Sequence, residues 1–144
     1  MKYYSYFIIS TFLFFSACAG VSSQTNKNFK NTENTIAVKD LTSRDREMMD
    51  AGSQLEDAME DTISRSVFVV TQEDPKYVLK YKVLNYRKGR ALSKSTLEVR
   101  AALYDEGDMV GAWTVDAWVR GVNARLFQKA ADEITRHLRG NSDF

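Results

Sequence analysis

Apolar residues are spread unevenly along this chain, and their spacing separates it into segments. Tyr3 to Phe15 (YYSYFIISTFLFF) is almost unbroken apolar and aromatic sequence, whereas Val21 to Asn34 (VSSQTNKNFKNTEN) is almost wholly polar. From Thr35 apolar positions recur with regular period as far as Leu138. This places a folded domain at 35–140 and leaves 141–144 as a disordered tail.

Within the domain the period changes from segment to segment. Thr35 to Leu41 (TIAVKDL) predicts a short strand with Ile36 and Val38 on one side. Thr42, Ser43 and Asp45 then offer helix-capping side chains. Met48, Gly52, Leu55, Met59 and Ile63 fall at steps of three and four, predicting an amphipathic helix over Arg46 to Ser66. Gly52 costs up to ~1 kcal/mol relative to Ala there, which points to close packing on a sheet. Val67 to Val70 (VFVV) predicts a buried strand and Glu73-Asp74-Pro75 a turn.

Three alternating segments follow. In Tyr77 to Tyr86 the inward set is Leu79, Tyr81 and Val83; in Ser95 to Tyr104 it is Leu97, Val99, Ala101 and Leu103. In Met109 to Val119 it is Trp113, Val115, Ala117 and Val119, with Asp105-Glu106-Gly107-Asp108 as the hairpin turn before it. Asn123 is placed to cap a last helix, Ala124 to Arg139, with Phe127, Ala130, Ala131, Ile134 and Leu138 as its apolar stripe and Gly140 as its terminator. The order β-α-β-β-β-β-α predicts an α+β two-layer sandwich, a five-stranded mainly antiparallel sheet with two helices on one face.

Composition adds exclusions. The 144 residues are 44% apolar, so the chain is not generally disordered, and a net charge of +1 gives no bulk attraction to nucleic acid. With Lys2 removed, 20 basic residues become 19, equal to the 19 acidic ones. One Cys and one His cannot supply a disulfide or a four-ligand zinc site, so no metal and no dissociable cofactor is expected.

The amino-terminal run has its own reading. Met1-Lys2, about 13 apolar residues and then Ser16, Ala17, Cys18, Ala19 and Gly20 form the pattern of an export signal, too short for the ~20 residues that cross a bilayer. Phe15-Ser16-Ala17-Cys18 resembles the lipobox of bacterial lipoproteins. That resemblance implies a lipoprotein signal peptide at 1–17 and a Cys18 carrying diacylglycerol and an N-acyl chain such as palmitate. It also implies a membrane partner reached through that anchor. Ala19 in place of Asp implies the outer membrane, facing the periplasm. A plain secretory leader cut near Ala17 or Ala19, or an uncleaved anchor, would produce the same pattern. Residues 18–34 then read as lipidated Cys and flexible tether, with a span of roughly 20 Å for fourteen residues.

A second resemblance covers about residues 35–140. Tyr77-Val78-Leu79-Lys80-Tyr81-Lys82-Val83, Ser95-Thr96-Leu97-Glu98-Val99, and Ala102-Leu103-Tyr104-Asp105 with Gly107 resemble the bacterial lipoprotein family catalogued as domain of unknown function 4410. The family implies a fold and a cell-envelope location and brings no established activity.

Catalytic chemistry is thinly represented. His137 lies near a helix end and reads as a surface or cap-stabilising residue. Glu56, Asp57, Glu60 and Asp61 read as the polar face of a helix; Asp105, Glu106 and Asp108 lack the spacing of a calcium loop. No catalytic residue is assigned. The less ordinary feature is a run of seven basic residues and no acid from Lys76 to Lys94. Lys80, Lys82, Tyr86, Arg100, Trp118 and Arg120 are expected on the open sheet face, a candidate surface for an envelope protein or an anionic envelope polymer. The competing expectation is that Lys82 or Arg100 pairs across strands with Glu98 or Asp116. A non-catalytic binding or accessory module is therefore the leading functional expectation. A self-associating spacer, or an enzyme acting on envelope material, are its alternatives.

Overall fold

The computed structural model describes residues 19–25, 35–90 and 93–140. The leader at 1–17, Cys18 and the tail at 141–144 lie outside the described residues. The elements run β1 (Ala19–Thr25), β2 (Thr35–Asp40), α1 (Arg46–Ser64), β3 (Val69–Val70), β4 (Tyr77–Arg87), β5 (Lys94–Asp105), β6 (Asp108–Arg120) and α2 (Ala124–Leu138). They form the expected α+β sandwich, with one six-stranded sheet in the order β1-β6-β5-β4-β2-β3.

β4, β5 and β6 form an antiparallel meander. The β5–β6 turn places Glu106 (φ 49) and Gly107 (φ 91) at positive φ, the mirror-image turn whose twist suits a two-residue hairpin. β2 lies parallel to both β4 and β3, with α1 as the crossover between β2 and β3. The inward sets of β4, β5 and β6 meet Leu55, Met59 and Ile63 of α1 and Phe127, Ala130, Ala131, Ile134 and Leu138 of α2 in one core. Both helices thus cover one face, and the other stays open.

The sixth strand corrects the tether expectation. Ala19–Thr25 pairs along its whole length with β6, from Ala19 opposite Val119 to Thr25 opposite Trp113; residues 26–34 lie outside the described residues. A polar segment that buries little can still order when a neighbouring edge satisfies its backbone groups, and the unpaired edge of β6 does so here.

Close approach explains two glycines. A Cβ on Gly52 would collide with the Asp40 carboxylate, and the Gly52 carbonyl accepts a 2.9 Å hydrogen bond from Tyr81 Oη. A Cβ on Gly20 would enter the indole of Trp118, which lies across β1. The predicted caps are not formed by side chains. Asp45 and Asn123 make no capping bond, Thr42 Oγ1 accepts from the Val83 N–H, and the Asn123 amide donates to Tyr86 Oη. Gly140 ends α2 as expected, at φ 76 with its N–H on the His137 carbonyl.

Candidate functional site

The open face of the sheet carries the residues singled out from the sequence, with one exception. Lys82, Arg100 and Arg120 are exposed, and Lys80 and Trp118 are half-buried on that side. Tyr86 is on the opposite side. The β4–β5 register slips between Val83 and Asn85, so Leu84 is an extra residue and the alternation inverts after it. Tyr86 therefore stands opposite inward-facing Leu97, packs on Phe127 with ring centroids 5.6 Å apart, and accepts from Asn123. Asn85 and Arg87 take the outward positions, and no local signal in the sequence marks the slip.

The register also overturns the expected charge pairs. Lys82 lies opposite Arg100, Glu98 opposite Asp116, Lys94 opposite Arg120, and Lys39 opposite Lys80. Charges of one sign thus run in rows across the strands. No ion pair joins these residues to one another among the described residues. Aromatic rings take up two of the cations instead: Lys80 Nζ lies 4.3 Å from the ring centroid of Tyr104, and Lys94 Nζ 4.3 Å from that of Trp118. A depression of about 260 Å³ lies in this face, with Trp118, Thr96, Glu98, Asp116, Asn85 and Ser22 among its walls. It is shallow, and its polar groups are mixed: the acidic row of Glu98 and Asp116, the cation of Lys94, and the neutral Asn85, Thr96 and Ser22.

A second cluster, between β1 and α2, was not anticipated. Ser23 Oγ donates to Glu133 Oε1 at 2.6 Å and lies 2.7 Å from His137 Nε2. His137 is largely buried rather than a surface residue, with its ring stacked on Trp113 at 5.6 Å and 22°. Burial holds its pKa below the ordinary value, an effect the Glu133 carboxylate opposes and Arg136 assists. Glu133 is held low, first by the hydrogen bond from Arg136. The only proton on Ser23 Oγ goes to the carboxylate, so the imidazole nitrogen facing it must be the donor. Glu133 Oε1 is itself 3.3 Å from the same Nε2. A nucleophilic serine needs a bare nitrogen facing it and a carboxylate on the far side of the ring. Here serine and carboxylate meet at one nitrogen, and the arrangement is a clamp.

The remaining carboxylates fall where the sequence put them. Asp57, Glu60 and Asp61 are exposed on α1, with Asp61 paired to Arg65. The Glu56 pKa is raised by partial burial and then by Glu60, Asp40 and Asp57. Asp105 pairs with Lys76 at 3.1 Å beside the hairpin. Among the described residues no group of His, Cys, Asp and Glu could hold a metal ion, and no helix is long and apolar enough to cross a membrane.

Comparison with known proteins bears on the fold. No family model matches the chain, and no curated protein matches it. PelC of Paraburkholderia phytofirmans, solved as a dodecamer, has a TM-score of 0.60 at 14% identity, covering 87% of this chain and 100% of that one. The hypothetical protein CT253 of Chlamydia trachomatis has a TM-score of 0.57 at 10% identity, covering 74% and 96%. Lipoprotein GNA1162 of Neisseria meningitidis has a TM-score of 0.51 at 13% identity, covering 74% and 98%. At such identities the shared property is the sandwich fold.

Proposed function

We propose that this chain is a lipoprotein of the bacterial cell envelope, anchored through Cys18 to the periplasmic face of the outer membrane. In this reading its domain is a non-catalytic binding or accessory module for an envelope protein or an anionic polymer. Support for the anchor comes from the lipobox-like sequence and from a fold shared with a bacterial lipoprotein, and the resemblance of the strands from Tyr77 to Asp105 to domain of unknown function 4410 points the same way.

The observation that carries the binding role is the row of like charges. Like charges directly opposite on neighbouring strands destabilise a sheet, typically by several tenths of a kcal/mol per pair. Lys82 against Arg100 and Glu98 against Asp116 incur that cost without an internal ion pair. The basic and acidic rows lie side by side on this face, two residues apart along β5, so an occupant that meets both carries rows of complementary sign.

The test follows from that trade-off. Lys82→Thr relieves the repulsion with Arg100, so it raises domain stability by up to ~0.5 kcal/mol. The same change reduces recovery of crosslinked partners from living cells. A variant that gains stability and keeps its full partner set contradicts the reading. Incorporation of labelled fatty acid, abolished by Cys18→Ser, tests the anchor separately.

A second reading is self-association. β1 is an edge strand of seven residues with no charge and no proline, lacking the devices that usually protect a sheet edge. The dodecameric state of PelC shows the same fold in a homo-oligomer.

A further inference from the structure

The two ends of the sheet carry opposite charge, although the chain as a whole is nearly neutral. At one end lie the start of β1, the ends of β4 and β6 and the start of β5, since Ala19 pairs with Val119, Ser95 with Val119 and Lys94 with Arg120. That end carries Arg87, Lys88, Arg90, Lys94, Arg120 and, at the first turn of α2, Arg125, all exposed. No acid occurs between Lys76 and Lys94 or between Trp118 and Lys129. The start of α1 adds Arg44 and Arg46 against Asp45 and Glu47 on the helix side. The opposite end holds Glu73, Asp74, Asp105, Glu106 and Asp108, with Lys76 paired among them. β4, β5 and β6 have 11, 12 and 13 residues, so the two ends stand roughly 35–40 Å apart at ~3.3 Å per residue. With a Debye length of about 8 Å at physiological salt, a surface touching the basic end does not feel the acidic one.

We propose that this basic end docks on the anionic phospholipid headgroups of the membrane, so that the domain stands end-on with its acidic end away from the bilayer. The proposal rests on the reading of Cys18 as the anchored residue. Ala19, the next residue, already belongs to the sheet and lies beside Val119 at the basic end. Nothing between anchor and fold holds the domain off the surface, unlike the roughly 20 Å of a fourteen-residue tether. Trp118, overlaid by Lys94, and Val122, 68% exposed, supply an aromatic and an aliphatic side chain at the same end. A lipid chain with an adjoining basic patch is the two-part arrangement that makes membrane attachment stable. The acidic end is left to face the periplasm.

The experiment uses the chain from residue 18 onward carrying Cys18→Ser. It keeps every described element and their shared core and has no lipid. Sedimentation is measured with vesicles of phosphatidylethanolamine and phosphatidylglycerol, and with vesicles of phosphatidylcholine. The unlipidated chain is expected to bind the anionic vesicles, to release them as salt rises, and to leave phosphatidylcholine unbound. At ~1 kcal/mol for each basic residue near an anionic surface, about fivefold, Arg120→Glu weakens binding between about fivefold and 25-fold. Arg87→Glu, an exposed change on another strand, does the same, so the result does not hang on one variant's folding. Arg65→Glu, an equal charge change just after α1 and near the other end, stays within about twofold of the parent. Equal binding to both vesicle types, no binding to either, or equal losses from Arg65→Glu and Arg120→Glu overturn the proposal. Retention on an anionic polysaccharide without vesicle binding overturns it in favour of a polymer. Failure of fatty-acid labelling in cells is a separate result that removes the anchor and leaves the vesicle measurement intact.

Discussion

His137 is the one histidine of the chain, and the fold opposes its protonation through burial. A histidine whose pKa is lower folded than unfolded lets the unfolded chain bind the extra proton first. Stability is then fully present above pH ~6.5 and declines as pH falls below it, until the folded pKa is also passed. Glu133, likewise held low in the fold, contributes stability above about pH 4.5 and withdraws it below. Both act in the same direction, so acidification loosens the contact between β1 and α2 in two stages. Thermal melts across pH 7.5 to 4 are expected to show a falling melting temperature, with the first stage missing in His137→Gln. An unchanged slope in that variant would assign the acid sensitivity to other groups. The sequence placed this residue near a helix end, where charge is favoured; it could not show that β1 and Trp113 close over the ring.

At the scale of elements, the inward sets of β4, β5 and β6 were legible because alternation is a local property of a strand. Leu97, Val99, Ala101, Leu103, Trp113, Val115, Ala117 and Val119 are all buried as their spacing predicts. Three elements escaped. The buried strand expected at Val67 to Val70 shrinks to Val69–Val70, where only the neighbouring Phe68 enters the core while Val67 and Val69 stay exposed, because β3 is an edge strand paired with β2 alone. The bulge at Leu84 inverts the alternation of β4 and carries Tyr86 to the helix side, and its position depends on how β4 matches β5. β1 escaped because its stabilisation is not in its own composition: Val21 remains 39% exposed, and the strand is held by the β6 ladder and the Ser23 clamp. The clamp can be weighed. Ser23→Ala removes the acceptor of the imidazole and a donor to a partly buried carboxylate, which should cost roughly 1–2 kcal/mol. The amides of β1 should then exchange with solvent faster than those of β5. If β1 exchanges no faster in that variant, the sheet ladder alone holds it.

For the whole molecule, the open question is what meets the surfaces that the fold leaves free: the rows of charge on the open sheet face, the basic end, and the uncharged edge of β1. The edge makes a specific demand. If it pairs with a second copy, mass by light scattering rises with concentration, and Val21→Lys, which charges that edge, returns the mass to that of one chain. A mass independent of concentration leaves partner binding as the role of the free surfaces.

The sequence by itself determined the order of elements from β2 to α2, the hairpin at Glu106-Gly107, the buried face of each helix and the α+β class. Periodicity and turn chemistry act over a few residues and need no partner to be read. Only the tertiary structure decided that Ala19–Thr25 is a strand, that Tyr86 turns inward, that His137 is buried, and that like charges share rows while opposite charges part to the two ends. Each of these depends on strand order and register, which bring together residues far apart in the chain and which no single segment encodes.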